Sequence, residues 1–245
     1  KTHLENSLSE GGGSGRLVTW KPEGERCFLL VADNDAVTAG AVGHAGSQLA
    51  GPHSFLLDTK GGVWQLGAMA WPRPPLPGSA SSAGSHSSLL FAGDLVCDSE
   101  DVAKPAVSRL LAYDLLALGG RSFTSQPLRK RLALLDAEVI KPRRGAASVA
   151  DEPLRVRVKD CFRLKYVPYL LTNFIPKLTH PARGLVFLDA EARFAGGTSD
   201  SAIDWYRSAH AATASKSRGA QDGAHEGGER VSEAELAAFA QTHFK

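Results

Sequence analysis

The nearly continuous apolar run from Leu110 to Leu118 limits the possible folds more than any other part of this sequence. Only Tyr113 and Asp114 interrupt it, a pattern typical of a strand buried on both faces. Several other short apolar runs occur, together with two helical patterns, but strand, helix and strand do not alternate regularly. The sequence therefore predicts an α+β fold rather than a doubly wound parallel sheet.

Two segments have helical periodicity. From Leu128 to Ile140 the apolar residues recur at helical spacing, and Lys141-Pro142 is predicted to end this helix. Residues 167–178 are predicted to form a second helix, with Pro168 in its first turn. Residues 154–159 alternate strictly between apolar and basic side chains, which predicts a strand with three cations on one face.

Short apolar runs on either side of Thr59–Gly62 predict a β-hairpin with a glycine-containing turn. Low-complexity sequence divides the rest of the chain. Residues 1–16 are predicted to be a flexible N-terminal segment, 72–88 a loop insertion, and 208–230 a linker. Residues 231–245 begin with a capping box and are predicted to form a C-terminal helix. This leaves 17–207 as the folded domain.

Composition excludes several classes of protein. No apolar run approaches the roughly 18 residues that a membrane helix needs, so no membrane partner is expected. Cys27, Cys97 and Cys161 lie far apart and form no paired motif, so the sequence predicts neither a disulfide framework nor a zinc site. Buried free thiols fit a reducing intracellular compartment. The histidines have no ligand-like spacing, and no metal site is predicted.

The net charge of +2 is too small to establish nucleic-acid binding, but the cations are clustered. The window 129–159 holds the candidate RNA-binding residues, which are Arg129, Lys130, Arg131, Arg143, Arg144, Arg155 and Arg157. A surface facing a polyanion would need such a cluster. Ordinary solvation of a protein surface explains it equally well.

Lys21-Pro22-Glu23-Gly24-Glu25-Arg26 lies between two strand-like runs, 17–20 and 27–31. A lysine, an acid, a glycine and an arginine in this order can present an amine to a nucleotide phosphate. Together with later fragments, this motif resembles the nucleotidyltransferase domain of mRNA capping enzymes (RNA guanylyltransferases), a superfamily shared with ATP-dependent DNA and RNA ligases. The resemblance covers about residues 17 to 207 and is strongest at 21–31, 93–96, 109–120, 131–143 and 184–187.

The resemblance implies nucleotidyltransferase-type antiparallel β-sheets with flanking helices. Capping enzymes also carry a C-terminal OB domain that closes over the nucleotide. Too few residues follow Arg207 to supply one, so the expectation is a copy without an OB domain.

The resemblance also implies site residues. Lys21 matches the lysine that attacks the α-phosphate of GTP and carries GMP as a phosphoramidate. Glu23 and Gly24 complete its motif, and Arg26 matches the residue that contacts the ribose. Asp94 matches the carboxylate of the third motif, in the sequence Ala92-Gly93-Asp94.

Two further residues complete the implied nucleotide site. Tyr113 matches the aromatic residue that stacks on guanine, and Lys159 matches a lysine that faces phosphate. Each assignment has a simpler alternative: Lys21 and Arg26 as strand-end charges, Tyr113 as core, and Lys159 as a solvated cation.

Two departures from the family pattern argue against activity. Arg183 stands where the fourth motif has a metal-serving acid, and a guanidinium cannot ligate Mg²⁺. Asp204-Trp205-Tyr206 stands where the fifth motif is Lys-Trp-Lys, so an acid replaces a lysine that should hold the α-phosphate. Phosphoryl transfer depends on charge neutralisation, and losing one such donor costs about 10²–10³ in rate.

The sequence therefore predicts a catalytically inactive, guanylyltransferase-like protein without a certain cofactor. It would be a structural or RNA-binding part of a ribonucleoprotein complex, with RNA and other proteins as partners. A mitochondrial ribosome or an RNA-processing complex, in mitochondria or the nucleus, would fit. The alternative is an active enzyme that uses GTP and Mg²⁺ to transfer GMP to the 5′-diphosphate end of RNA. A third possibility is an unrelated α+β binding module.

Overall fold

The computed structural model describes residues 15–33, 52–74, 84–99, 105–144, 151–195 and 202–206. These residues form two compact units. Unit 1 contains residues 15–23, 160–190 and 202–206, and unit 2 contains the described residues of 24–159 together with 191–195. The chain passes from unit 1 to unit 2 between Glu23 and Gly24, inside the motif described above.

The described strands are, in chain order, Arg16–Pro22 (β1), Glu25–Ala32 (β2), His53–Asp58 (β3), Val63–Gln65 (β4), Ser88–Asp98 (β5), Val107–Leu118 (β6), Arg121–Ser122 (β7), Arg155–Val158 (β8), Phe162–Arg163 (β9), Ala182–Asp189 (β10) and Ala202–Tyr206 (β11). Most of their pairings are antiparallel, and β8 with β6 is parallel. The predicted α+β class with antiparallel sheets and flanking helices is confirmed.

Several predicted segments lie outside the described residues. They are residues 1–14 of the N-terminal segment, the linker 208–230 and the C-terminal helix 231–245. The prediction about an OB domain after residue 207 also concerns residues outside the described ranges. Arg16, which the sequence assigns to the flexible segment, begins β1. Part of the predicted loop 72–88 is described: Pro72 pairs with Ser85 in an isolated bridge, and Ser88 begins β5.

Unit 2 contains a sheet with the order β4-β3-β2-β5-β6-β7, and β8 pairs with β6. The long strand β6 confirms the prediction from its apolar run. Leu110, Leu111 and Leu115 are completely buried, so both faces of the strand are covered. The predicted hairpin is also confirmed, because β3 pairs with β4 across Thr59–Gly62, where Gly61 has a φ of 92°.

The helix of unit 2, called α1, runs through Leu128–Leu134 (α), Leu135–Ile140 (π) and Lys141–Arg144 (α). The sequence prediction that Lys141-Pro142 ends the helix is wrong by one turn. Proline has no N–H to offer the carbonyl four residues earlier, which belongs to Glu138. The buried His86 ring lies with Nε2 2.9 Å from that Glu138 oxygen and donates a hydrogen bond to it. The helix can therefore continue past the proline.

Unit 1 contains a four-stranded antiparallel sheet with the order β11-β10-β1-β9. Side chains on a strand alternate between the two faces of the sheet, so successive residues of β1 have different surroundings. Trp20 is fully buried and lies 5.0 Å from the ring of Phe174, measured between centroids. Its indole Nε1–H donates to His180 Nε2 at 3.1 Å. The next residue, Lys21, therefore points to the opposite face.

The helix of unit 1, called α2, is built from four consecutive helical segments. These are Leu164–Tyr166 (3₁₀), Val167–Tyr169 (α), Leu170–Phe174 (π) and Ile175–Lys177 (3₁₀). Pro168 lies in the first turn of the α segment Val167–Tyr169, as predicted for a helix that begins at residue 167. The buried side chains of α2 are apolar and include Val167, Leu170 and Leu171.

No helix among the described residues is long and apolar enough to cross a membrane.

Candidate functional site

The first candidate site residues belong to the Lys21 cluster of unit 1, defined as Lys21, Glu23, Arg183 and Asp204. Strand β10 runs between β1 and β11, with Gly184 opposite Lys21 and Val186 opposite Asp204. Residues directly opposite across an antiparallel sheet share a face, as do alternate residues along one strand. Lys21 and Asp204 therefore lie on the same face, on either side of the middle strand.

The Lys21 side chain crosses the middle strand of the sheet and forms an ion pair. Its Nζ donates to Asp204 Oδ2 at 2.5 Å. Both side chains are about three-quarters shielded from solvent, with 26% and 24% of their surface exposed. The sequence identified Asp204 as a charge that would repel phosphate, and the structure adds that this carboxylate binds the amine of the candidate nucleophile.

The second pair of the Lys21 cluster joins Glu23 to Arg183. Glu23 follows a register shift at Lys21/Pro22, and its backbone N–H donates to the carbonyl of Pro181 at 2.9 Å. Arg183 Nε lies 3.8 Å from Glu23 Oε1, with half of the arginine side chain exposed. The arginine that replaces an expected acid is thus paired with the acid of the first motif.

The remaining candidates belong to the Asp94 cluster of unit 2, defined as Arg26, Asp94, Tyr113 and Lys159. Asp94 lies on β5 between Arg26 of β2 and Leu111 of β6. Lys159 Nζ donates to Asp94 Oδ2 at 2.7 Å, and its backbone N–H donates to the carbonyl of Ala112 at 2.8 Å. Only 4% of the Lys159 side chain is exposed, so the alternative of a solvated cation is wrong.

Tyr113 completes the Asp94 cluster as a neutral ring. Lys159 Nζ lies 5.6 Å from its ring centroid, within the range of a cation–π contact. Burial raises the pKa of Tyr113 well above its usual value, the charge of Asp94 adds to the rise, and Arg26 opposes it. The phenol therefore stays protonated and offers a flat aromatic face and one hydroxyl.

Gly24 has a packing reason to be glycine. A Cβ at this position would lie 2.4 Å from the carbonyl oxygen of Leu95 and 2.9 Å from a methyl group of Val96. The start of β2 therefore approaches β5 more closely than any side chain would allow. This close approach holds Arg26 opposite Asp94.

Cys27 follows Arg26 and is buried on β2. Burial raises the pKa of its thiol to about 11, with further contributions from Glu25, Asp58 and Asp94. The thiol is therefore protonated at neutral pH and is not a nucleophile there.

The structure corrects the candidate RNA-binding set at two positions. Arg131 is buried and donates two hydrogen bonds to Asp114, at 2.6 and 2.9 Å, and one to the carbonyl of Ala192 at 3.1 Å. Burial raises the pKa of Asp114, and the bonds from Arg131 oppose that rise. A guanidinium held this way stabilises the interior and is not available to a phosphate.

Arg143 is the second correction. It is buried, pairs with Glu152, donates to the carbonyl of Ala70, and lies 4.0 Å above the Trp71 ring. Burial lowers the pKa of Arg143, and Glu152 opposes the change. Its partners include residues distant in sequence, so the run of basic residues gave no sign of this burial.

The other members of the set have more solvent contact. Arg129, Lys130 and Arg144 are exposed, whereas Arg155 and Arg157 are half-buried on β8. Arg129 pairs with Glu191, and Arg144 lies 3.5 Å from Asp136. Within the described ranges, no three His, Cys, Asp or Glu side chains group as they would around a metal ion.

The comparisons with known proteins agree on one family. The family model described as "mRNA capping enzyme, catalytic domain" matches residues 14–207. The chain is 28% identical over 192 residues to the mRNA-capping enzyme subunit alpha of Candida glabrata, covering 76% of this chain and 40% of that protein. It is 26% identical over 210 residues to the Schizosaccharomyces pombe subunit, covering 84% and 48%. The chain thus spans less than half the length of these relatives.

Solved structures of DNA ligases are similar at a lower level. A mycobacterial DNA ligase D complexed with ATP and MES matches with a TM-score of 0.38 and 12% identity, covering 77% of this chain and 53% of the ligase. A Lig E DNA ligase structure matches with a TM-score of 0.41 and 15% identity, covering 79% and 62%. Scores this low carry no argument about the site.

Proposed function

The chain belongs to the family of mRNA capping enzyme catalytic domains, and we propose that it is a non-catalytic member that binds RNA within a ribonucleoprotein assembly. The proposal has two parts, the loss of guanylyl transfer and the retention of RNA binding. They rest on different residues and are tested separately.

The ion pair between Lys21 and Asp204 is the observation that carries the loss of activity. A lysine attacks phosphorus only through the lone pair of its neutral amine. Here the amine donates a hydrogen bond to the carboxylate of Asp204 at 2.5 Å, so it is engaged by an acid where the family resemblance implies a lysine. The same negative charge repels the phosphate that the amine would attack. Asp204 therefore acts against both the nucleophile and its target.

The pair between Glu23 and Arg183 supports the same conclusion. Metal-assisted phosphoryl transfer needs oxygen ligands that hold Mg²⁺ against the phosphates. The arginine at position 183 adds a positive charge where the family resemblance implies an acid, and it engages Glu23 at 3.8 Å. The added positive charge and the engagement of Glu23 both reduce the affinity of the Lys21 cluster for a divalent cation.

Exposed cations support the RNA-binding part. Arg129, Lys130 and Arg144 are exposed side chains of α1. An ion pair between two exposed groups contributes only about 0–1 kcal/mol to stability. The Arg129–Glu191 pair is of this kind, with 45% and 53% of the two side chains exposed. A phosphate can therefore displace Glu191 from Arg129 at little cost.

The alternative function is guanylyl transfer from GTP to RNA, and the Asp94 cluster favours it. This cluster keeps a carboxylate, a buried lysine and an aromatic ring at the positions that the family resemblance assigns to nucleotide binding. Retained nucleotide binding without transfer is compatible with the proposal, so binding of GTP does not distinguish the two functions. Formation of a covalent adduct does.

The test of inactivity uses labelled GTP with Mg²⁺ or Mn²⁺, followed by denaturing electrophoresis. We expect no label on the protein. An acid-labile, alkali-stable label that disappears in Lys21→Ala would establish the alternative instead. Asp204→Lys restores the residue of the family motif and is the informative variant, because a label on it alone would assign the loss to this position.

The test of RNA binding measures filter retention of RNA against salt concentration. Replacing Arg129, Lys130 and Arg144 together by alanine should reduce the slope of log K against log salt by about 0.7 for each phosphate that the variant no longer neutralises. Wild-type protein that retains no RNA at low salt would remove this part of the proposal and leave the question of activity untouched.

A further inference from the structure

The exposed face of α2 in unit 1 has two features that the family resemblance does not use. Most tyrosine side chains lose much of their surface on folding, yet Tyr166 and Tyr169 remain 43% and 41% exposed. They are three residues apart, which places neighbouring side chains about 5–6 Å apart on one side of a helix. Each tyrosine therefore adds an exposed ring to this face of α2, and the ring of Tyr169 also lies 6.5 Å from that of Phe162.

The segment that contains these two tyrosines carries charge of one sign. Residues 161–188 contain no Asp or Glu, and their Lys and Arg residues are Arg163, Lys165, Lys177 and Arg183. Lys165 and Lys177 are exposed, and neither forms a salt bridge with any described residue. Lys165 Nζ instead lies 5.6 Å from the ring centroid of Tyr166.

The buried and exposed residues of α2 separate into two faces. Leu164, Val167 and Leu170 are buried on one side. The exposed polar and aromatic positions are Lys165, Tyr166, Tyr169, Thr172, Asn173 and Lys177. Lys165 and Lys177 are separated by roughly 18 Å along the helix, at 1.5 Å per residue. A cation therefore stands at each end of a face with aromatic rings and polar side chains between them.

We propose that this face of α2 binds single-stranded RNA, with the bases on Tyr166 and Tyr169 and the phosphates near Lys165 and Lys177. Single-strand binding combines cations along the backbone with aromatic rings on which bases stack. An acidic peptide would satisfy the cations but would gain little from two exposed rings. The proposal deepens the proposed RNA-binding role, on which it rests, and adds a second surface to the cations of α1.

Polar side chains between the two ends fit the same ligand. Thr172 Oγ1 donates to the carbonyl of Pro168 at 2.9 Å, and Asn173 Nδ2 donates to Thr172 Oγ1 at 2.7 Å. Asn173 is exposed, and a side-chain amide can exchange hydrogen bonds with a base or a 2′-hydroxyl. Sequence reasoning missed this face, although tyrosines three residues apart in a stretch without acids were a usable signal.

The test measures fluorescence anisotropy of a labelled oligouridine with the full chain. Tyr166→Ala combined with Tyr169→Ala should weaken binding at least about tenfold, because each stacked base contributes substantially. The matched Tyr→Phe pair keeps both rings and should bind like wild type. Trp64→Ala removes another half-exposed aromatic side chain, on β4 in unit 2, and should also have no effect.

The lysines are tested by salt dependence. Lys165→Ala combined with Lys177→Ala should lower the slope of log K against log salt by about 1.4, or 0.7 for each phosphate on a single strand. Crosslinking of wild-type protein to 4-thiouridine RNA avoids any doubt about folding of the variants. Mass spectrometry should find the adducts on the peptide that contains Tyr166 and Tyr169.

The possible results distinguish RNA binding at the exposed face of α2 from RNA binding elsewhere on the protein. If the tyrosine variants bind like wild type while the Arg129/Lys130/Arg144 variant loses binding, the α2 assignment is overturned and the RNA role stands. If polyglutamate competes as well as oligouridine does, α2 is a docking face for acidic peptides and the proposal fails. If wild type binds no RNA, both fall.

Discussion

Arg131→Ala tests whether the basic window is partly an interior network. The variant removes two hydrogen bonds to Asp114 and the bond to the Ala192 carbonyl, and it leaves a buried carboxylate without its cation. Removing one partner of a buried pair costs about 3–5 kcal/mol. For a chain of 245 residues, each kcal/mol lowers the melting temperature by about 2–4 °C, so the expected drop is about 6–20 °C.

Arg129→Ala is the matched control, two positions earlier on the same helix. Its pair with Glu191 is about half exposed on both sides, and such pairs contribute about 0–1 kcal/mol. Differential scanning calorimetry measures both variants. If Arg131→Ala melts within about 2 °C of Arg129→Ala, a difference of no more than about 1 kcal/mol, the interior role of Arg131 is refuted.

Three further predictions concern unit 2. His86→Ala should destabilise the protein by about 1–3 kcal/mol in urea unfolding, because it removes the hydrogen bond from a part-buried carbonyl. The effect should shrink in a Pro142→Ala background, which adds a backbone donor, and equal costs in both backgrounds would contradict this explanation of α1. Iodoacetamide at pH 7.5 should label the exposed Cys97 and leave Cys27 unmodified until the protein unfolds. Because burial raises the folded pKa of Cys27 from 9.0 to about 11, its contribution to stability is complete below pH 9 and is lost as the pH rises towards 11. The free energy of unfolding should therefore fall less steeply between pH 9 and 11 when Cys27 is replaced by alanine.

Much of the fold could be predicted from local sequence pattern. The strand β6, the β3–β4 hairpin and the cores of both helices follow from apolar periodicity and turn residues, which act over a few positions. The extension of α1 past Pro142 could not be predicted. It depends on His86, whose ring meets a carbonyl 52 residues later in the chain.

The candidate site was predictable as a set of residues but not as a set of contacts. The motif order pointed to Lys21, Asp94 and Lys159, yet each partner lies far away in sequence. Lys21 and Asp204 are 183 residues apart, and Lys159 and Asp94 are 65 apart. Sequence reasoning read basic residues as surface charge, because nothing local shows that a distant acid will meet a cation and allow its burial.

We propose above that the Lys21–Asp204 ion pair prevents guanylyl transfer in this capping-enzyme domain. Intact-mass spectrometry of the protein after incubation with GTP and Mn²⁺ tests it most directly, with GDP as a control for non-covalent carry-over. The account predicts an unchanged mass for wild type. A stable GMP adduct that maps to Lys21, and that pyrophosphate reverses, would contradict it.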